Sequence, residues 1–146
     1  MIDRKHIGLS LEPLTVTVEK GRLRFFAKAT GQDDPVYTDE AAARAAGYPS
    51  LPAPPTFLFS LGFEKPDPFE LLHVMDVDLA RVLHGEQSFV YHKPVCAGDV
   101  VTLKSTVTDI YDKKDGALEF IVQKTDVTNE AGALVAELQQ VVVVRN

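Results

Sequence analysis

Two acidic side chains, Asp33 and Asp34, stand directly before Pro35, with Tyr37 two residues beyond it and Thr38-Asp39 following. Asp33 and Asp34 are the acidic candidates for a general base, and the bland alternative is that they form the turns and caps common before proline. Tyr37 has an unperturbed pKa of about 10, so it needs a large shift to act as a base near neutral pH, but it can donate a hydrogen bond. His84 and His92 lie on one predicted strand at an even spacing, which puts both on the same face. They are candidates to line a pocket, with solvated or interface histidines as the ordinary alternative. Thr56 and Ser60 stand at i and i+4, where hydroxyls bonding back to the helix backbone are common. Cys96 lies in a turn without a histidine partner and is expected to be inert.

The elements that must position these groups follow from pattern. Residues 12 to 18 alternate and are rich in β-branched side chains, which predicts a strand leading into a helix over Glu19 to Ala29 with Leu23, Phe26 and Ala27 at helical spacing. Gly31 ends that helix. Thr38 is the expected N-cap of a second helix, Asp39 to Ala46, closed by Gly47. Pro49, Pro52, Pro54 and Pro55 then stiffen an extended segment that delivers the run from Thr56 to Phe63, apolar on nearly all sides. Such a run predicts a buried central helix, with proline tolerated at its start. A short helix is expected around Phe69 to Val74.

From Val82 onward the pattern is β, with strands expected near 83–93, 100–111, 117–128 and 133–145, and Asp115-Gly116 is a hairpin turn signal. Long consecutive strands predict a curved antiparallel sheet, and the apolar helix is the natural thing for it to wrap. This is an α+β chain, a single hot-dog domain over residues 1–146. A closed barrel is the alternative, but it leaves the Phe-rich helix without a burial place.

Composition narrows the setting. A chain of 146 residues that is 45% hydrophobic can build a core without metals or disulfides. A lone cysteine and no Cys/His cluster fit a reducing, cytoplasmic location without a structural metal. Neither a signal-peptide core nor a membrane-length apolar run is visible, and a formal charge of -6 with scattered Lys and Arg works against nucleic-acid binding.

The segment Ala29-Thr30-Gly31-Gln32-Asp33-Asp34-Pro35-Val36-Tyr37-Thr38-Asp39, followed by Ala53-Pro54-Pro55-Thr56-Phe57, resembles the hydratase motif of MaoC-like dehydratases and R-specific enoyl-thioester hydratases. The likeness continues through Leu83 to Pro94, Ala97-Gly98-Asp99 and Glu119-Phe120 to Arg145, and it is similar to the amino-terminal group of MaoC-like dehydratase domains. Gly31, Pro35, Val36 and Asp39 match the motif. Gln32 stands where the family has its catalytic Asp, Asp34 where it has Asn, and Tyr37 where it has its catalytic His.

The resemblance implies a hot dog paired with a second one and an acyl chain carried on coenzyme A or acyl carrier protein. The implied reaction is reversible addition of water to a 2-enoyl thioester, with no metal, nucleotide or flavin cofactor. Water addition calls for a carboxylate and an imidazole converging on one water, and Gln32 and Tyr37 remove both. The family also polarises the thioester carbonyl with backbone N–H groups at the start of the central helix. Pro54 and Pro55 have none, which leaves Thr56 and Phe57, with Pro55 and Tyr37 beside them, as substrate-binding candidates.

Three functions follow. The chain is a noncatalytic subunit that binds the acyl tail and dimerises with a partner bearing the intact motif. Alternatively it is a self-sufficient homodimeric hydratase using Asp33 or Asp34 with His84 or Tyr37. As a third possibility it is a thioesterase or plain acyl-thioester binding module, although the central helix lacks the acidic residue thioesterases of this fold use.

Overall fold

The computed structural model describes residues 1–146. Five antiparallel strands form one sheet in the order β1-β3-β4-β5-β2: β1 Leu14–Thr17, β2 Val82–Tyr91, β3 Val100–Lys113, β4 Leu118–Asn129 and β5 Leu134–Arg145. The helices, α1 Lys20–Ala29, α2 Glu40–Ala45, α3 Phe57–Ser60 and α4 Glu70–Val74, all fall between β1 and β2 and pack on one side of the sheet. This is the α+β hot-dog arrangement. The β3–β4 hairpin turns where expected, with Lys114, Asp115 and Gly116 all at positive φ.

The core divides in two. One half joins Leu23 of α1, Ala43 of α2 and Phe57, Leu58 and Leu61 of the central segment to Val101, Val127 and Leu138 of the sheet. The other half sets Leu71, Leu72, Met75 and Val77 against Val107, Ile121, Val142 and Val144. Each half buries apolar side chains that alternate along the strands, the pattern of a sheet with one covered face. No helix is long and apolar enough to cross a membrane.

Two local expectations are corrected. Asp39, not Thr38, caps α2: its carboxylate accepts from the Ala41 N–H at 2.9 Å. Thr38 closes the preceding 3-10 turn instead, its N–H donating to Pro35 O, whereas Asp39 has the extended backbone an N-cap requires. The central helix is also shorter and more open than an all-round apolar helix. α3 runs only from Phe57 to Ser60 and tightens into a 3-10 turn over Leu61–Glu64. Phe57, Leu58 and Leu61 are buried, but Phe59 is half-buried and Phe63 is exposed. The second apolar stripe therefore faces a cavity and its mouth, not packed core.

Candidate functional site

The motif loop is built by local hydrogen bonds. At the end of α1, Gly31 takes a positive φ of 69° and the Gln32 N–H returns to Ala27 O at 2.8 Å, the usual way a helix stops at glycine. The Gln32 side-chain oxygen accepts from the Asp34 N–H at 3.3 Å, and the Asp34 carboxylate accepts from the Val36 N–H at 3.0 Å, capping the 3-10 turn Pro35–Tyr37. Asp33 is exposed on the same turn. The loop thus uses Gln32 and Asp34 to hold its own backbone.

Tyr37 is half-buried beside Tyr48 and Tyr91. Burial first, and the neighbouring Tyr48 next, push its phenol above the ordinary value of 10.0, so at neutral pH it is a hydrogen-bond donor and not a base. These three tyrosines, with Pro52, Pro55 and Leu58, line a solvent-open cavity of ≈ 340 Å³. At its edge lies the start of α3, where Thr56 adopts a left-handed backbone with φ of 72°. Its N–H donates to the Tyr91 hydroxyl at 2.9 Å, and the Phe57 N–H donates to Pro54 O at 3.1 Å. Both N–H groups expected to meet a thioester carbonyl are therefore engaged within the chain.

A second cavity, ≈ 230 Å³, lies between the two halves of the core. Its helical side is Leu58, Phe59 and Phe63 from the central segment with Leu71 and Leu72 of α4. The sheet side presents Leu103, Leu138 and Val142, interrupted by Gln87, Gln123 and Gln140. An aromatic chain frames the mouth: Phe59 meets Phe63 edge-on at 5.6 Å and His84 at 5.2 Å, and Phe63 meets Phe69 at 6.5 Å. Leu58 borders both cavities.

The sequence-predicted residues are divided between these places. Tyr37, Pro55 and His92 line the tyrosine cavity, His84 lines the apolar one, and Asp33 and Asp34 stay on the motif turn. His84 and His92 do not share a face. A bulge between His84 and Glu86 shifts the pairing with β5, so that His84 opposes Val142 on the cavity side while Glu86 opposes Val141. One extra residue reverses the alternation that follows. His92 consequently bonds Glu137 at 2.7 Å on the other face, and Glu137 also holds Lys124 at 2.6 Å. Lys124 first and His92 second keep the Glu137 carboxyl below its usual range.

Cys96 is buried, and desolvation followed by the Asp99 charge pushes its thiol up, in keeping with an inert side chain. The Ser60 hydroxyl bonds back to Phe57 O at 2.7 Å, as expected of a helix hydroxyl. Sequence reasoning missed Tyr48, Tyr91 and the three glutamines. The glutamines carried a weak signal, since polar residues at core-facing positions of otherwise apolar strands are unusual; the tyrosines carried none.

Comparison with known proteins bears on the same residues. A family model for the FAS1-like, dehydratase domain region matches residues 5–138. A UPF0336 protein of Streptomyces avermitilis is 39% identical over 133 residues, 90% of this chain and 87% of that protein. Among solved structures, the C-terminally truncated HadBC (3R-hydroxyacyl-ACP dehydratase) complex from Mycobacterium tuberculosis superposes with a TM-score of 0.82 and 29% identity, covering 94% of this chain and 96% of that one. A MaoC-like dehydratase superposes with a TM-score of 0.85 and 26% identity, covering 97% of this chain and 42% of that chain. With a motif loop that keeps the family's turn, a hot-dog sheet and a family match over most of its length, this chain belongs to the FAS1-like, dehydratase domain region family of MaoC-like hot-dog dehydratases.

Proposed function

We propose that the chain is the acyl-thioester binding subunit of a 3-hydroxyacyl-thioester dehydratase or 2-enoyl-thioester hydratase. In this role it completes a dimer with a second hot dog that carries the intact Asp/His motif. One observation carries the reading: an apolar cavity of acyl-chain character is kept beneath the central segment while the two proton-handling positions hold Gln32 and a Tyr37 whose phenol is pushed away from neutrality. The ligand is an acyl group on coenzyme A or acyl carrier protein. A reducing, cytoplasmic setting suits the single free Cys96.

Partnering is supported by the free side of β2. Ten residues long and at the sheet edge, it has hydrogen-bonding groups unpaired on one side and exposed Leu83, Val90 and Tyr91, the kind of edge a second sheet can extend. A self-sufficient enzyme is less well served: Asp34 is committed to its cap, and His84 lines a different cavity from Tyr37.

The test follows loss of 2-enoyl-coenzyme A absorbance, from crotonyl to longer chains, with the purified chain alone and then with a hot-dog partner bearing Gly-Asp-x-Asn-Pro-x-His. Inactivity alone and activity with the partner is the expected result. Turnover by the chain alone, abolished by Asp33→Asn with Asp34→Asn, would refute the subunit reading.

A further inference from the structure

Across the floor of the apolar cavity, three glutamines stand in one row. Gln87 of β2 pairs with Gln140 of β5, and Gln140 pairs with Gln123 of β4, so their side chains project side by side from three adjacent strands. All three line the cavity, and Gln123 is only 8% exposed. The next row holds Ser105 and Thr125, also on the cavity wall, with their hydroxyls bonded to each other at 2.8 Å. Apart from His84, whose Nε2 bonds the Glu86 carbonyl, the rest of the sheet-side floor is aliphatic.

The row does not satisfy itself. Gln140 Nε2 donates to Gln123 Oε1, and Gln87 Nε2 reaches the carbonyl of Ser88 at 3.3 Å. Gln87 Oε1 is buried and has no donor within the chain, the one buried side-chain polar atom so placed. An amide buried beside aliphatic neighbours costs stability unless its hydrogen bonds are made, and leucine would fill the same space without that cost. A bare acyl chain offers such a row nothing.

Building on the acyl-binding role proposed above, we infer that the cavity selects an acyl chain that carries a hydroxyl group part-way along it, received by Gln87 and its neighbours in the glutamine row. An amide oxygen needs a donor, which excludes a ketone or ether as its sole partner. The Gln87 amide is held in that sense by its Nε2, which reaches the Ser88 carbonyl, so a hydroxyl can donate to Oε1 where a ketone cannot. The aliphatic surroundings take the methylenes on either side.

The experiment is calorimetric titration of the whole chain with saturated acyl-coenzyme A thioesters of one length. The series carries a hydroxyl, a ketone or a plain methylene at successive positions beyond the β-carbon, so that the hydroxyl of the dehydration reaction is never the one read. The expected result is one position at which the hydroxyl thioester binds about tenfold tighter than the plain one, with the ketone not tighter than the plain chain. Gln87→Met keeps the side-chain length without the amide; it should erase that preference, so that the hydroxyl and plain thioesters bind the variant equally. If this variant fails to fold, the positional dependence in the unaltered chain carries the test. Equal binding across the series, a preferred ketone, or a hydroxyl preference that survives in a folded Gln87→Met protein would overturn the inference and leave the acyl-binding role intact. Failure of every thioester to bind would remove that role and the inference together.

Discussion

Replacing Gly85 by alanine should weaken the edge of the sheet on which the proposed partner would dock. Gly85 is the extra residue of the β2 bulge, flanked by the pairs His84–Val142 and Glu86–Val141. A Cβ added there would meet Val143 Cγ2 at 2.7 Å and the Val141 carbonyl oxygen at 3.0 Å. The valine methyl can rotate away, but the carbonyl belongs to the backbone of β5, which is paired on both sides. Overpacking of this kind costs about 1–3 kcal/mol, and the reduced freedom of the unfolded chain returns about 0.4–1 kcal/mol, so the net loss should be roughly 0.5–2 kcal/mol. Urea unfolding should show a lower midpoint with an unchanged slope. Gly21→Ala is the matching control: Gly21 lies exposed in α1, an added Cβ there meets nothing within 4 Å, and alanine should stabilise by up to about 1 kcal/mol. Should Gly85→Ala be as stable as the parent while the control behaves as expected, β2 would be moving freely against β5. The close approach would then not be what reserves the position for glycine.

Three further outcomes follow from the site. Tyr91→Phe keeps the stacking of this ring on Phe89 at 5.9 Å but removes the acceptor for the Thr56 N–H, so stability should change by less than about 1 kcal/mol while the Thr56 amide exchanges faster with solvent; an unchanged exchange rate would show another source of protection. Tyr37 should ionise above 10.0 in an ultraviolet titration read as the difference from Tyr37→Phe. Because the folded pKa is raised, its contribution to stability is fully present below the ordinary value and is lost as pH climbs through the folded one; titration at or below the ordinary value would contradict burial as the cause. Cys96, buried and with its thiol pushed up, should react with iodoacetamide far more slowly in the native protein than in urea, and comparable rates would mean that its loop opens readily.

The order of elements, the four long strands and the Asp115-Gly116 hairpin were legible in the chain because their causes are local: alternation of side chains, turn residues and helical spacing. So was the substitution of Gln32 and Tyr37 at the motif positions, which is a matter of identity and spacing. The Thr38 cap was misplaced by one residue, since the competing use of its N–H in a 3-10 turn depends on Pro35.

What the tertiary structure decided is of another kind. The relative faces of His84 and His92 turn on the bulge at Gly85, where β5 lies too close for an added side chain, and the partner of that approach is more than fifty residues away. The Tyr91 hydroxyl reaches Thr56 across 35 positions of sequence. The glutamine row requires the register of three strands at once, and the cavity it floors is the space left where two halves of the core do not meet. Local sequence sets which elements form. Hydrogen-bond availability and free space in the site depend on which distant strands pair and at what register, quantities to which each residue's own propensity contributes nothing.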